Sequence, residues 1–117
     1  MKNPRLKNLF KLSSKVTIYI PSTYNVNETI NNEFYVDECA SLLSTCFGGA
    51  TSTKALGFWQ SVDCGLVKEQ TTIVFAYATE KAIIENIEMI IDWCENLKGQ
   101  LAQESIALDI NGEMYFI

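Results

Sequence analysis

Apolar residues recur along this chain at two different periods, and the order in which the periods alternate restricts the fold. Residues 16–20 alternate apolar and polar side chains, which is the period of a β-strand, and Pro21 ends the run. Residues 33–47 and 80–98 instead repeat apolar side chains every three or four positions, as one face of an α-helix does. The chain therefore contains a first strand and two long helices, and we expect Gly99 to end the second helix.

Two strands are predicted between the helices and two more after them. Residues 55–60 and 71–77 are rich in apolar and β-branched side chains, and the second of these runs has the character of a central strand. Residues 106–110 alternate again, and Asn111-Gly112 is a strong hairpin signal that returns the chain through a last strand over 113–117.

The order strand, helix, strand, strand, helix, strand favours an α+β protein with a ferredoxin-like sandwich. Right-handed crossings and a hairpin between the middle strands place both helices on one face of an antiparallel sheet, with an extra strand from the C-terminal β-hairpin. The other face of the sheet is then open to a partner, a ligand or a second copy of the chain. A homodimer through the open sheet face is one such assembly.

The charge of the chain is divided between a basic N-terminal segment and an acidic body. The 117 residues carry nine basic and fourteen acidic side chains, a net charge of −5, and five of the basic residues lie before position 16. We therefore expect a basic segment over 1–15 and a single α+β domain over 16–117. The segment is an amphipathic piece that can pack on the domain, dock a partner or touch an acidic surface, while a partly ordered tail is the simpler expectation. The acidic body repels phosphate, so we expect it not to bind duplex nucleic acid directly.

The chain contains no histidine, which excludes Ser-His-Asp and Cys-His catalysis and histidine-ligated metal sites. We assign no cofactor, no metal site and no catalytic residue. The four cysteines form no CxxC pair, so we expect reduced thiols in a cytoplasmic protein, with Cys39 and Cys46 in the core and Cys64 exposed in a turn. No segment approaches the ~20 continuous apolar residues of a membrane span, so no membrane association is expected.

The polar candidates for a ligand site cluster between residues 48 and 69. Gly48-Gly49 lets the backbone turn sharply after the first helix, and residues 51–54 add three hydroxyls and one ammonium, so a loop here can cradle an anion. A helix end followed by a strand entry rich in turn formers is the simpler explanation. The candidate ligand-binding residues are Gly48, Gly49, Thr51, Ser52, Thr53, Lys54, Trp59, Lys68 and Glu69.

Three side chains in this region admit both a chemical and a structural role. Trp59 is a stacking platform or interface anchor if it points outward, and a core residue otherwise. Glu69 can act as a general base or bind the amine of a ligand, but a cross-strand ion pair with Lys54 is the simpler expectation. Cys64 needs a nearby cation to be reactive, and Lys68 is the only candidate that the sequence offers.

The motifs of this region are similar to those of a known family. Residues 47–51 read Phe-Gly-Gly-Ala-Thr, residues 57–59 read Gly-Phe-Trp, and Glu69 opens an apolar strand. This arrangement resembles the signature of a family of small bacterial and mobile-element proteins of unknown function, and it covers residues 47–79. The resemblance implies a ferredoxin-like fold and brings no catalytic assignment.

We favour a non-enzymatic interaction protein that regulates a macromolecular partner, such as a phage or mobile-element inhibitor of a host nucleic-acid-handling or defence protein. Acidic side chains on the second helix can occupy a surface meant for phosphate, although a solvated helix face is the simpler explanation of them. The candidate partner-binding residues are Glu85, Glu88, Asp92 and Glu95. The alternative is a sensor that binds an anion or nucleotide with the Gly48–Lys54 loop and Trp59. An enzyme that uses Glu69 with Lys68 or Cys64 is not favoured, because no motif ties two functional groups together.

Overall fold

A computed structural model describes residues 3–117 as a five-stranded antiparallel sheet with two long helices packed on one face. The strands of this sheet are β1 (Ser14–Pro21), β4 (Thr51–Ser61), β5 (Gly65–Ala78), β6 (Ala107–Ile110) and β7 (Glu113–Phe116). Two shorter strands, β2 (Thr23–Tyr24) and β3 (Glu28–Thr29), pair with each other. The helices are α1 (Pro4–Lys7), α2 (Glu33–Phe47) and α3 (Glu80–Gln100).

The strand order confirms the ferredoxin-like α+β prediction. The strands lie in the order β4-β5-β1-β6-β7, so the first strand is central and the middle two strands form one side of the sheet. The additional strand β7 pairs only with β6, across a turn in which Asn111 and Gly112 both have positive φ (55° and 87°). A two-residue hairpin turn of this type requires positive φ at both positions, which explains the Asn-Gly sequence.

The core lies between the sheet and the two long helices. Val16, Ile18 and Ile20 of β1 are completely buried, because alternate residues of this strand face α2 and α3. The helices bury the side chains that their periodicity predicts on the inner face. These are Cys39 and Leu43 of α2 and Ile83, Ile90, Cys94 and Leu97 of α3.

The two middle strands are longer than the sequence predicts. β4 begins at Thr51 instead of residue 55 and β5 begins at Gly65 instead of residue 71, and the pair runs without interruption from Thr51 opposite Phe75 to Ser61 opposite Gly65. The missed residues are mostly polar, and strand pairing tolerates them here because backbone hydrogen bonds hold a hairpin whose two faces are largely solvated. Residues 51–54 are therefore strand, and the predicted loop over 48–54 is wrong.

The ends of the helices also differ in part from the prediction. Gly48 ends α2 as expected, with a φ of 94° and its N–H donating to the Ser44 carbonyl at 2.8 Å. Gly99 does not end α3, because its φ is not in the left-handed region that such a stop requires, and the helix continues to Gln100. Asn32 occupies the N-cap position of α2 but makes no capping bond with its side chain, whereas Asn31 Oδ1 accepts from the Glu33 N–H at 2.9 Å.

No element of residues 3–117 covers the helix-free face of the sheet, which carries exposed aromatic side chains such as Tyr77 and Phe116. Lys15 Nζ lies 4.3 Å from the centre of the Phe75 ring and 5.5 Å from that of Tyr77. Its ammonium is thus attracted to two aromatic rings on this face. That a second copy covers the face stays a prediction.

None of the four cysteines is in a disulfide within residues 3–117, and their burial follows the helix pattern with one exception. Cys39 and Cys94 are buried, and desolvation raises the pKa of Cys94 to about 12 and that of Cys39 further. Cys46 is only half-buried, so it does not point fully inward as predicted, whereas Cys64 is exposed as expected. Among the described residues 3–117, none of the helices combines the length and apolar character that crossing a bilayer demands.

Replacing Thr79 by alanine is expected to lower the free energy of unfolding by about 1 kcal/mol, because Thr79 Oγ1 accepts from the Ala82 N–H at 3.1 Å and caps α3. Urea denaturation followed by circular dichroism measures the change. The matched control is Thr45→Ala, since the exposed Thr45 hydroxyl only donates back to the Ser41 carbonyl within α2. Equal effects of the two substitutions would contradict the capping role.

Candidate functional site

A cleft of about 920 Å³ lies between the start of α2 and the β4–β5 hairpin. This volume falls in the range of small-molecule sites. One wall comes from the chain leading into α2 and from its first turns, and the other wall comes from the two strands. The lining residues are Ser22, Ile30, Asn31, Asn32, Glu33, Val36 and Asp37 on the first side, and Ser52, Thr53, Lys54, Ala55, Leu56, Gln70, Thr71 and Thr72 on the second.

The Asn32 side chain fixes the floor of this cleft. Its Nδ2 lies 3.3 Å and 3.2 Å from the carbonyl oxygens of Ile20 and Pro21, and 3.1 Å and 3.2 Å from the hydroxyl oxygens of Ser22 and Thr72. Asn32 thereby connects the beginning of α2 to the end of β1 and to β5. This explains why its side chain does not cap the helix.

The strand wall is built from cross-strand pairs whose side chains face α2. Lys54 lies opposite Thr72, and Leu56 lies opposite Gln70. Thr72 is on the same face as the buried Val74, two residues further along β5, so this row of side chains is on the helix side of the sheet. The register thus brings an ammonium, a hydroxyl and an amide to one wall of the cleft.

The two walls of the cleft carry opposite charges. Lys54 is on the strand wall, and Glu33 and Asp37 are on the helix wall. Within residues 3–117, the one salt bridge is between Lys81 and Glu85, so neither the lysine nor the carboxylates of the cleft are neutralised by an ion pair. The cleft therefore suits a ligand that carries both a negative and a positive group.

A smaller hollow of about 370 Å³ adjoins the cleft and shares Ser22 and Gln70 with it. Its other lining residues are Thr23, Val26, Asn27 and Thr29 from the chain before α2 and Val67, Lys68 and Glu69 from β5. The predicted charged pair at positions 68 and 69 is therefore at this hollow. Cleft and hollow together form one groove along the hairpin.

The expected ion pair between Glu69 and Lys54 does not form. Lys54 is opposite Thr72 in the register, whereas Glu69 is opposite Gly57. Because side chains alternate along a strand, these two pairs lie on opposite faces of the sheet. The Glu69 carboxylate is consequently not held by Lys54.

The structure brings together only part of the predicted ligand site. Ser52, Thr53 and Lys54 line the cleft, and Lys68 and Glu69 line the hollow. The remaining predicted residues line neither of them. These are Gly48 and Gly49 at the end of α2, Thr51 at the start of β4, and Trp59 on the hairpin.

Trp59 is 46% exposed and pairs with Val67 on the face turned away from the helices. The predicted pocket made of the Gly48–Lys54 loop and Trp59 is therefore wrong: residues 51–54 are extended in β4, and the ring is several residues along the hairpin on the other face. The four candidate partner-binding residues lie exposed on α3; they are Glu85, Glu88, Asp92 and Glu95.

Sequence reasoning missed the helix wall of the cleft. The predicted site residues include none of Asn31, Asn32, Glu33 and Asp37, which line the cleft. The consecutive polar residues before α2 were the available signal. Their role becomes visible only when the register places β5 beside them.

Two solved structures share this fold over nearly the whole chain. The first is a phage SAM lyase in complex with S-methyl-5'-thioadenosine, with 14% sequence identity, a TM-score of 0.64, and coverage of 93% of this chain and 94% of that chain. The second is a phage SAM lyase in the apo state, with 15% identity, a TM-score of 0.63, and coverage of 94% and 95%. No family model and no curated protein matches the sequence. The resemblance to the mobile-element family therefore stays a prediction.

These neighbours overturn the favoured functional prediction. The sequence favoured a non-enzymatic interaction protein over an enzyme, but both of these structures are of an enzyme, one of them with a small molecule bound. The error arose because the polar groups of the groove come from separate parts of the chain, and no local motif connects them.

Proposed function

We propose that the protein is a cytoplasmic enzyme that cleaves S-adenosylmethionine (SAM) and releases S-methyl-5'-thioadenosine, with the groove along the β4–β5 hairpin as its substrate site. The observation that carries this proposal is the cleft itself, whose facing walls hold Lys54 on one side and Glu33 and Asp37 on the other, without an ion pair between them. The fold shared with the phage SAM lyase supports it.

The charges of the cleft match the ionic groups of SAM. The amino-acid part of SAM carries a carboxylate and an ammonium, and the sulfur is a sulfonium cation. In this proposal Lys54 binds the carboxylate by a charge-assisted hydrogen bond, while Glu33 and Asp37 attract the two cationic groups. The adjoining hollow is lined by one residue of each charge, Lys68 and Glu69.

The uncharged lining suits the nucleoside. Ile30, Val36 and Leu56 provide apolar contact for the adenine ring, and the side-chain amides of Asn31 and Gln70 offer donors and acceptors for the ribose and the base. A polar floor held by Asn32 and an apolar patch beside it are what a nucleoside ligand requires.

The proposed reaction breaks the bond between sulfur and Cγ of the methionine part. The electron pair of this bond passes to sulfur, which becomes the neutral thioether of S-methyl-5'-thioadenosine. A lyase adds no water across the broken bond, so the four-carbon fragment compensates by bonding its own carboxylate oxygen to Cγ, or by losing a proton from Cβ to solvent while the electrons of that C–H bond form a double bond. The two products are isomers, and proton NMR separates the lactone from the alkene.

Purified protein incubated with SAM is expected to produce S-methyl-5'-thioadenosine at a rate proportional to protein concentration, measured by liquid chromatography with mass detection. Heat-denatured protein corrects for the spontaneous breakdown of SAM. S-adenosylhomocysteine, whose sulfur is uncharged, serves as the matched compound, and we expect no cleavage of it because a thiolate would have to leave, which is a poorer leaving group than the neutral thioether that SAM releases. Release no faster than with denatured protein would refute the proposed activity.

A further inference from the structure

β4 is at one edge of the five-stranded sheet, and its outer side pairs with no strand in residues 3–117. In an antiparallel pair, alternate residues direct their backbone N–H and C=O groups away from the partner strand. β4 pairs with β5 over eleven residues in unbroken register, so the outward groups form one continuous open row. Such a row is a template for pairing with another strand.

The sequence of β4 lacks the features that usually protect an edge, which are proline, several charges, a bulge or a very short strand. β7, at the opposite edge of the sheet, has four residues and begins with Glu113. β4 contains no proline, and Lys54 is its one charged residue. Its apolar side chains are about half exposed: Leu56 by 50%, Phe58 by 55% and Trp59 by 46%. Pairing with another strand would cover them.

The β4–β5 hairpin is also the part of the chain where two copies repel each other least. Residues 51–78 carry two basic and two acidic side chains, so the hairpin has no net charge, whereas the whole chain has a net charge of −5. Like charges on the rest of the body oppose the approach of a second copy. An uncharged edge is where this opposition is weakest, which favours a second copy of the chain as the occupant.

We propose that β4 pairs antiparallel with β4 of a second copy, about a two-fold axis that passes through Gly57. The two five-stranded sheets then join into one, and the same surface serves both copies. In this register Trp59 lies opposite Ala55 of the second copy, and Leu56 lies opposite its Phe58. Each pair forms twice because of the symmetry. This inference does not depend on the proposed activity.

The side chains of β4 select this register. Directly opposed residues share a face of the sheet, and here apolar residues face apolar ones while Lys54 faces Gln60. The largest side chain, Trp59, is set against the small Ala55. Moving the axis by one residue in either direction places Lys54 opposite an apolar residue, which is Phe58 in one case and Val62 in the other.

Charges introduced across the contact test the register in the full-length protein. The acidic variant carries A55E and W59E, and the basic variant carries A55K and W59K. Sedimentation equilibrium is expected to give a dimer for the unmodified protein. For either variant alone we expect a dissociation constant raised on the order of tenfold or more, because like charges then lie directly opposite each other at two places. Circular dichroism verifies that both variants are folded.

Mixing the two variants supplies the decisive measurement. Each glutamate then faces a lysine, so a mixed dimer is expected at concentrations at which neither variant associates by itself. The mixture regains association only if residue 55 faces residue 59, and loss of the tryptophan alone does not produce this result. The control variant carries M89E and N96E, which add as much negative charge at exposed positions of α3, and it is expected to associate like the unmodified protein.

Three outcomes would overturn the edge pairing. The first is a monomer at every concentration, and the second is a dimer that the acidic and basic variants leave unchanged. The third is a mixture that stays monomeric while Tyr77→Glu, on the helix-free sheet face, abolishes the dimer of the unmodified protein. Association is measured without SAM, so its failure is distinct from a failure to release S-methyl-5'-thioadenosine.

Discussion

Replacing Lys54 by methionine is expected to lower kcat/KM for SAM cleavage by about 10- to 100-fold. The substitution keeps most of the length of the side chain and removes the positive charge from the strand wall of the cleft. A hydrogen bond to a charged group contributes about 1.5–3 kcal/mol, which corresponds to this range. Steady-state formation of S-methyl-5'-thioadenosine measures it, and we expect KM to change more than kcat, because the substrate carboxylate is charged before the bond breaks.

Two further variants separate the charge of Lys54 from its position. Lys54→Arg keeps the positive charge and is expected to recover part of the activity. Lys81→Met removes a lysine whose only ion pair is the exposed contact with Glu85 on α3, so it is expected to leave kcat/KM unchanged. A Lys54→Met enzyme as active as the unmodified one would exclude the cleft as the binding site of the amino-acid part.

Replacing Asn32 by alanine is expected to destabilise the protein by about 2–3 kcal/mol and to lower SAM cleavage as well. The Asn32 amide lies within hydrogen-bond distance of two carbonyl oxygens and two hydroxyls, and its removal leaves partly buried acceptors without a donor. Urea denaturation measures the free energy of unfolding. Cleavage is assayed without urea, at a temperature at which the variant is folded.

Asn31→Ala is the matched control for stability. The Asn31 side chain is next to Asn32 in the sequence but makes one exposed bond, to the Glu33 N–H, so its loss is expected to cost about 1 kcal/mol or less. If Asn32→Ala unfolds at the same urea concentration as the unmodified protein, the floor of the cleft is not held as described.

The fold was predictable because its signals are local. The apolar residues of 16–20, 33–47 and 80–98 recur at the period with which one side of a strand or helix faces the core. Asn111-Gly112 favours a two-residue hairpin turn by its own conformational preference. The start of β4 was missed because residues 51–54 are polar and are held in the strand by pairing with distant residues of β5. No pattern within residues 51–54 indicates that they pair with β5.

The site was predictable only on its strand side. Lys54 was identified from its polar neighbours, and Glu69 from its place before an apolar strand. The opposing carboxylates of α2 were not, since they are ordinary solvent-facing residues until the hairpin is placed against them. To predict a binding site made from two surfaces, one must know the register in which the strands pair. That register depends on pairing between residues far apart in the sequence.

The four contacts of Asn32 connect the groove to the cooperativity of the whole domain. They join α2, the end of β1 and β5, three elements that also enclose the hydrophobic core. The walls of the groove cannot separate unless these elements do. Heating should therefore remove the groove and the core in one transition, with no folded but open-walled state between them.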